Sequence, residues 1–325
     1  MLYIIKEDNF LADYILDALA GRSDVAVIKF ERIKYRGVKK YVQFVVRFLR
    51  SSVINRKGLW NGWFFPESFL CRLKVIGADD KVLFFSCQNK KELLVLDREI
   101  ECCSKSVFLW NPLSTVNHNA YSKWMYARSM HRTGMRVCTF DEGDAQAYGF
   151  ELVEQVYRSP DCRLTTCRPV TGSDVFFVGK DKGRSNVLSG VLAALDMQGI
   201  SHDFYILRDK HTKEVSRLKP YYTDDLVPYK EYCLKAMRSR CMLEILQKGQ
   251  EGMTMRTLEA LFFKKKLITN NISIRNCTIY HPDNIYILDG KEGRTIREFL
   301  DCGYHCFPAR MTERYDVEHW IERFV

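Results

Sequence analysis

Short apolar runs without polar alternation recur along this chain, and each leads into a stretch of helical periodicity. In the first half the runs are LYII (residues 2–5), DVAVIKF (24–30), KVLFFSC (81–87), SVFLWNP (106–112) and RVCTF (136–140). In the second they are DVFFV (174–178), HDFYIL (202–207), CMLEIL (241–246), KLIT (266–269) and NIYIL (284–288). A half-exposed strand alternates apolar and polar residues, whereas a strand covered on both faces reads as one apolar run. Helical stretches at 10–20, 90–101, 120–131, about 185–199, 229–239 and 254–263 supply the covering layers. Strand, helix, strand at these lengths predicts α/β architecture with parallel, doubly wound sheets. Residues 151–173 are poor in apolar periodicity and hold Pro160 and Pro169, so they read as a linker. The expected organisation is one Rossmann-like domain over 1–170 and a second over 171–310. A last amphipathic helix, at 315–324 within 311–325, is expected to pack back on the first domain.

Composition agrees with a folded, two-domain chain. At 325 residues there is room for two domains of ~150 residues. With 46% hydrophobic and 13% aromatic residues, enough apolar surface is available to offset ordering entropy. No apolar run approaches the ~20 residues of a membrane span. Met1 leads straight into LYII, which predicts no signal peptide and an intracellular, soluble chain. The twelve cysteines include Cys102-Cys103, Cys162/Cys167 and Cys302/Cys306 around His305, but no CxxC. They are expected to be reduced and structural, with Cys71, Cys87, Cys138 and Cys241 in apolar surroundings and no metal bound.

The net charge of +10 is concentrated. Residues 29–57 hold ten basic side chains (Lys29, Arg32, Lys34, Arg36, Lys39, Lys40, Arg47, Arg50, Arg56, Lys57) against Glu31 alone. Val38, Tyr41, Val42, Val45, Phe48 and Leu49 recur there at roughly helical spacing, which predicts a basic amphipathic helix. Such a helix either rests on an anionic membrane surface or acceptor, or packs its apolar side into a core with the basic side solvated. No nucleic-acid-binding motif accompanies it.

In open α/β sheets ligands bind beyond the carboxyl ends of the strands, near helix N-termini. Two such ends in the second half carry suitable groups. The first is Gly179-Lys180-Asp181-Lys182-Gly183-Arg184, where two glycines permit close backbone approach and Lys180 and Arg184 supply charge for a phosphate. The second is QKGQEGMTMRTLEALFFKKKLIT, residues 247–269. Gly249 and Gly252 lie in its loop, Thr254 is the expected helix N-cap, and Arg256 and Glu259 share a polar edge three residues apart. Backbone amides with Arg256 in the first turn suit a diphosphate, and Glu259 can accept from ribose hydroxyls. The same pair also reads as a surface ion pair on an amphipathic helix.

Glu251 and Glu259 are separated by seven residues, followed by EALFFKKKLIT. This resembles the E-x7-E segment of GT-B glycosyltransferases, in which a glycine-containing loop and helix hold a nucleotide-sugar donor. Over about 174–300 the chain is similar to bacterial glycosyltransferases of capsule, exopolysaccharide and lipopolysaccharide synthesis; WNP (110–112) and FDEGDAQAYGF (140–150) fit less specifically. The resemblance implies a GT-B-like α/β fold, two Rossmann-like doubly wound domains facing a central cleft. It further implies sugar transfer from a nucleotide-sugar to a lipid-linked or polysaccharide acceptor, peripheral on the inner face of the cytoplasmic membrane. No cofactor or metal is expected, since such enzymes stabilise the leaving diphosphate with amides and basic side chains. Carried over by residue, Glu259 would hold the donor ribose. Arg256 would meet the diphosphate with the amides near Gly252 and Met253, joined by Lys180 and Arg184. Glu251 matches the first glutamate, which in retaining members approaches the donor sugar; followed here by Gly252 in place of the family's usual context, it either takes that role or only lines the loop. Substituting Glu259 or Arg256 with alanine would then abolish donor binding in a folded protein. For an inverting reaction the candidate bases are Glu7 and Asp8, at the end of the first strand, and His118. The rival readings are a nucleotide-sugar epimerase of the same fold and a non-catalytic basic binding protein on a degenerate glycosyltransferase fold.

Overall fold

The computed structural model describes residues 1–33, 65–102, 104–113, 119–160, 172–209, 212, 215–246 and 252–325. The basic stretch beyond residue 33, Cys103, His118, the Cys162/Cys167 pair, Gly249 and Glu251 lie outside the described residues. The chain divides into two compact units, Met1–Gln155 with Val317–Val325, and Val156–Asp316.

The first unit is built on six parallel strands: β1 (Leu2–Lys6), β2 (Val25–Lys29), β3 (Lys81–Phe85), β4 (Ser104–Leu109), β5 (Arg136–Thr139) and β6 (Glu151–Leu152). Their order in the sheet is β2-β1-β3-β4-β5-β6. The helices between them are α1 (Phe10–Leu16), α2 (Glu67–Leu73), α3 (Lys90–Glu99), α4 (Ala120–Thr133) and α5 (Glu142–Tyr148). Val82, Leu83, Phe84 and Phe85 are all buried, the physical reason their run lacks polar alternation. Local chemistry sets the helix limits. Asn9, Asn89, Asn119 and Asp141 each accept a first-turn amide as N-caps, and Gly134 and Gly149 end α4 and α5 in the left-handed conformation.

The second unit has its own six parallel strands: β7 (Val175–Lys180), β8 (His202–Leu207), β9 (Tyr222–Thr223), β10 (Cys241–Glu244), β11 (Lys266–Thr269) and β12 (Ile285–Ile287). Their order is β12-β11-β10-β7-β8-β9. Counted from β7, this is the 3-2-1-4-5-6 order of dinucleotide-binding sheets. Helices α6 (Ser185–Met197), α7 (Tyr229–Arg238), α8 (Met255–Phe262), α9 (Ile296–Asp301) and α10 (Ala309–Glu313) accompany the strands. The winding reverses between β7 and β10, and it is there that the carboxyl ends of two neighbouring strands leave a crevice.

The passage between the units lies at Gln155–Val156, ahead of the expected residue 170, and Glu151–Leu152 forms an edge strand where a linker was expected. Tyr157 bridges to Asp316, and Ser159 donates its amide to the Asp316 carboxylate at 3.0 Å, which holds this stretch in the second unit. The chain then re-enters the first unit at Val317, so no single helix spans 315–324. Instead α11 (Val317–Trp320) is followed by one 3-10 turn, Ile321–Arg323. Trp320 is fully buried there, edge-on to Phe108 at 4.8 Å, with its indole N–H donating to the Glu154 carbonyl at 2.8 Å. Among the described residues the cysteines are free, no cluster could hold a metal ion, and no helix is long and apolar enough to cross a membrane. Cys87, Cys138 and Cys241 are buried as expected of small apolar side chains, while Cys71 is exposed.

Candidate functional site

The β7–β10 crevice holds an open pocket of about 360 Å³, within the range of small-ligand sites. Its walls are the end of β7 with Lys182 and Arg184 of the following turn, Glu244 to Leu246 at the end of β10, and Thr254 and Arg256 at the start of α8. Of the residues singled out in the sequence, the structure therefore brings Gly179, Lys180, Arg184, Thr254 and Arg256 to one pocket. Gly252 and Met253 precede it in the chain. Gly252 has a left-handed φ of 84°, and its carbonyl accepts from the Asn271 side chain at 2.9 Å. Across the same loop, the Leu246 amide donates to Asn270 at 2.7 Å. The Asn270-Asn271 pair thus anchors both flanks of 247–251.

The four cations of this pocket have two different jobs. Arg184 donates from Nε to the Asp181 carbonyl at 3.1 Å and from its two Nη atoms to the carbonyls of Ile245 and Lys180. Arg256 donates to the carbonyls of Leu243 at 3.1 Å and Val178 at 2.8 Å, and its Nε lies 3.3 Å from Glu259. Both guanidinium groups tie β7 to β10 and are spent largely on the protein itself. Lys180 and Lys182 are exposed, and neither ammonium has an ion-pair partner among the described residues. Partial desolvation against the pocket wall, then the positive charge of Arg184 and Lys180, holds the Lys182 pKa below the usual lysine value, opposed by Asp209. Burial and the charge of Arg256 do the same to Arg184. A site that crowds cations against one another favours an anion as its occupant.

The sequence reading passed over Glu244. Its carboxylate is buried and accepts from the hydroxyls of Thr254, Thr257 at 3.0 Å and Thr269 at 2.6 Å. Thr254 in turn accepts the Arg256 amide at 3.1 Å as N-cap of α8. Glu244 thereby pins the first turn of α8 to the ends of β10 and β11. The one charge inside the apolar run CMLEIL was the available signal.

Glu259 sits behind the pocket, off its wall. Its oxygens accept from Tyr229 at 2.9 Å and from Tyr232, and face Arg256, whose guanidinium also lies over the Tyr232 ring. Burial pushes the Glu259 carboxyl above its ordinary value, opposed by Arg256 and the two hydroxyls. A folded-state value above the unfolded one gives a contribution fully present below pH ~4.5 and lost as pH rises through the folded value. The stability of the native protein relative to Glu259→Gln should therefore fall as pH rises above 4.5 in urea titrations. A difference that stays flat with pH would mean that Arg256 and the tyrosines fully offset burial.

In the first unit, Glu7 and Asp8 follow β1 at the switch point between β1 and β3. Glu7 pairs with Arg32 at 2.6 Å; Arg32 also grips the buried Glu92 through two bonds of 2.9 and 2.7 Å. Asp8 pairs with Lys29 at 2.8 Å. Two of the basic residues of 29–57 are thus matched to carboxylates at the carboxyl edge of that sheet.

No protein-family model matches the chain, and no curated protein matches it. Solved structures do. The chain is similar to the N-terminal domain of trehalose-6-phosphate phosphatase from Candida albicans, at 12% identity and a TM-score of 0.52 over 99% of this chain and 88% of that one. It is also similar to the UDP-forming α,α-trehalose-phosphate synthase of Burkholderia xenovorans in complex with glucose-6-phosphate, at 12% identity and a TM-score of 0.51, covering 82% and 84%. The corresponding enzyme of Burkholderia vietnamiensis matches at 10% identity and a TM-score of 0.50, with the same coverage. At such identities the likeness establishes the fold, a GT-B-type pair of parallel-sheet α/β units.

Proposed function

We propose that this protein is a glycosyltransferase whose second unit binds a nucleotide-sugar through its diphosphate at the β7–β10 pocket. The observation that carries the reading is the pair Lys180 and Lys182, whose ammonium groups have no ion-pair partner among the described residues, at the switch point of a sheet with the dinucleotide-binding strand order. When the bond from the anomeric carbon to the donor phosphate breaks, negative charge grows on the departing diphosphate. Positive charge at the pocket wall stabilises the departing group. Lys180 and Lys182 supply it; Arg184, Arg256 and Glu244 hold the walls on which they stand, with Thr254 capping α8. Glu259 acts here as the support of Arg256, and contact with a ribose hydroxyl requires it to exchange one tyrosine partner. Gly252 and Met253 adjoin the donor side, and Gly249 and Glu251, outside the described residues, keep the roles that the resemblance implies.

The acceptor belongs to the first unit, with Glu7, Asp8 or His118 taking the proton of the attacking hydroxyl. A lipid-linked or polysaccharide glycan at the inner face of the cytoplasmic membrane fits the cationic stretch 29–57, and no metal or cofactor is needed. Thermal stabilisation against UDP, GDP, CMP, ADP and dTDP and their sugars tests the donor assignment. UDP comes first, because the trehalose-phosphate synthases of similar fold are UDP-forming. A ligand at 100 times its dissociation constant adds about 2.7 kcal/mol of stability. A flat panel overturns the reading.

A further inference from the structure

Lys266 opens β11 with its ammonium inside the protein: the residue is 6% exposed, and no carboxylate stands within ion-pair distance of it among the described residues. It donates to the carbonyls of Asp283 at 2.7 Å and Phe299 at 2.8 Å, to that of Gly303 at 3.4 Å, and to the Cys302 sulfur at 3.0 Å. Cys302 ends α9 as its C-cap and is only partly buried, which leaves it open to small solutes. Arg294 Nη1 lies 3.4 Å from the same sulfur. The Asp283 carboxylate, 3.6 Å from the sulfur, is taken up by Arg294 at 3.0 Å. A cation buried without an anion is costly, and a thiol sulfur is a weak acceptor in return. What the pairing does provide is reactive geometry: an amine nitrogen and a sulfur held about 3 Å apart, the separation of atoms poised to react. Two cations beside the sulfur also stabilise the negative charge that it carries while attacking an electrophile.

We propose that Lys266 and Cys302 form a modification site for a hydroperoxide, which closes on oxidation into a covalent N–S cross-link between β11 and the end of α9. The Cys302 sulfur attacks one peroxide oxygen and the O–O bond breaks. The sulfur is oxidised to a sulfenic acid, the peroxide is reduced to water or an alcohol, and the thiol proton leaves with that product. Lys266, having given one proton to solvent, then attacks the sulfur through Nζ. The S–O bond breaks, the N–S bond forms, and the hydroxyl departs as water with a second amine proton. The product is uncharged, so closing the bond also removes the buried charge of Lys266. A dithiol reverses it: the N–S bond breaks, both side chains regain their protons and the reductant leaves as a disulfide. Lys266 begins its strand, whereas the crevice forms at strand carboxyl ends, so the inference stands apart from the nucleotide reading.

The test treats the reduced full chain with a small excess of hydrogen peroxide, alongside Cys302→Ser, Lys266→Arg and Cys306→Ser. In the native protein and in Cys306→Ser, tryptic digestion should yield the Lys266 and Cys302 peptides joined, about two mass units lighter than their sum. The melting temperature of both should rise by roughly 5 °C, because the bond closes a loop of 36 positions in the unfolded chain. Dithiothreitol should undo both changes, and neither should occur in Cys302→Ser or Lys266→Arg. Recovery of Cys302 as an unmodified thiol, as a sulfinic acid, or in a disulfide with Cys306 would each overturn the inference. Should Lys266→Arg fail to fold, the peptide maps of the native protein and Cys302→Ser decide between them.

Discussion

Replacing Lys180 and Lys182 together by alanine should weaken nucleoside diphosphate binding by about 100-fold or more while the protein melts within a degree or two of native. Each charge-assisted contact to a phosphate contributes on the order of 1.5 kcal/mol or more, and about 1.4 kcal/mol is a factor of ten. Stability should hardly change, because both side chains are exposed and neither holds a partner among the described residues. The pair should also give binding a pH limit. Anion binding needs the ammonium forms, and the Lys182 pKa lies below the ordinary value in the free pocket. Affinity should therefore decline as pH rises, starting below pH ~10.4, the usual lysine midpoint. Isothermal titration of both proteins across pH checks each point; equal affinities in native and doubly substituted protein would remove these lysines from the site.

Arg256→Ala should act on stability first, costing on the order of 3 kcal/mol by chemical denaturation. From the sequence, this substitution was expected to abolish donor binding in a folded protein. The structure adds a stability cost to that expectation, because Arg256 joins the carbonyls of Val178 and Leu243 across neighbouring strands and stands against buried Glu259. Its removal takes a donor from two carbonyls and leaves buried Glu259 with its tyrosine hydroxyls but without its cation. Arg256→Lys should recover little, since a single ammonium cannot span both carbonyls and the Tyr232 face. A loss of ligand affinity with unchanged stability would instead assign Arg256 to the ligand.

Much of the architecture was legible because burial on both faces leaves a direct trace in residue type. VLFF and VFFV are apolar throughout since helices cover both sides of their sheets, and Asn or Asp before most helices of the first unit marks their caps. The chain's crossing point was not legible. Residues 151–157 lack periodicity, yet Glu151–Leu152 extends one sheet and Tyr157 bridges to Asp316, a pairing across more than 150 positions. The C-terminal stretch looked like one amphipathic helix, and the passage from one unit to the other at Asp316–Val317 divides it.

At the site, the sequence by itself determined which residues gather. Ligand crevices form at strand carboxyl ends; Gly179 and Lys180 end β7, Arg184 follows it, and Thr254 and Arg256 follow β10, so the pattern of strands and helices placed them together. Only the tertiary structure decided what each does. A basic side chain in a turn reads the same whether its protons go to a ligand or to backbone carbonyls. The fold engages Arg184 and Arg256 with carbonyls, because two parallel strands end side by side there with acceptors exposed, and it gives Lys180 and Lys182 no ion-pair partner among the described residues. In the same way Glu244 reads as a stray charge in an apolar strand. Its role arises from hydroxyls that local pattern does not encode, brought within hydrogen-bond distance by neighbouring strands and helices.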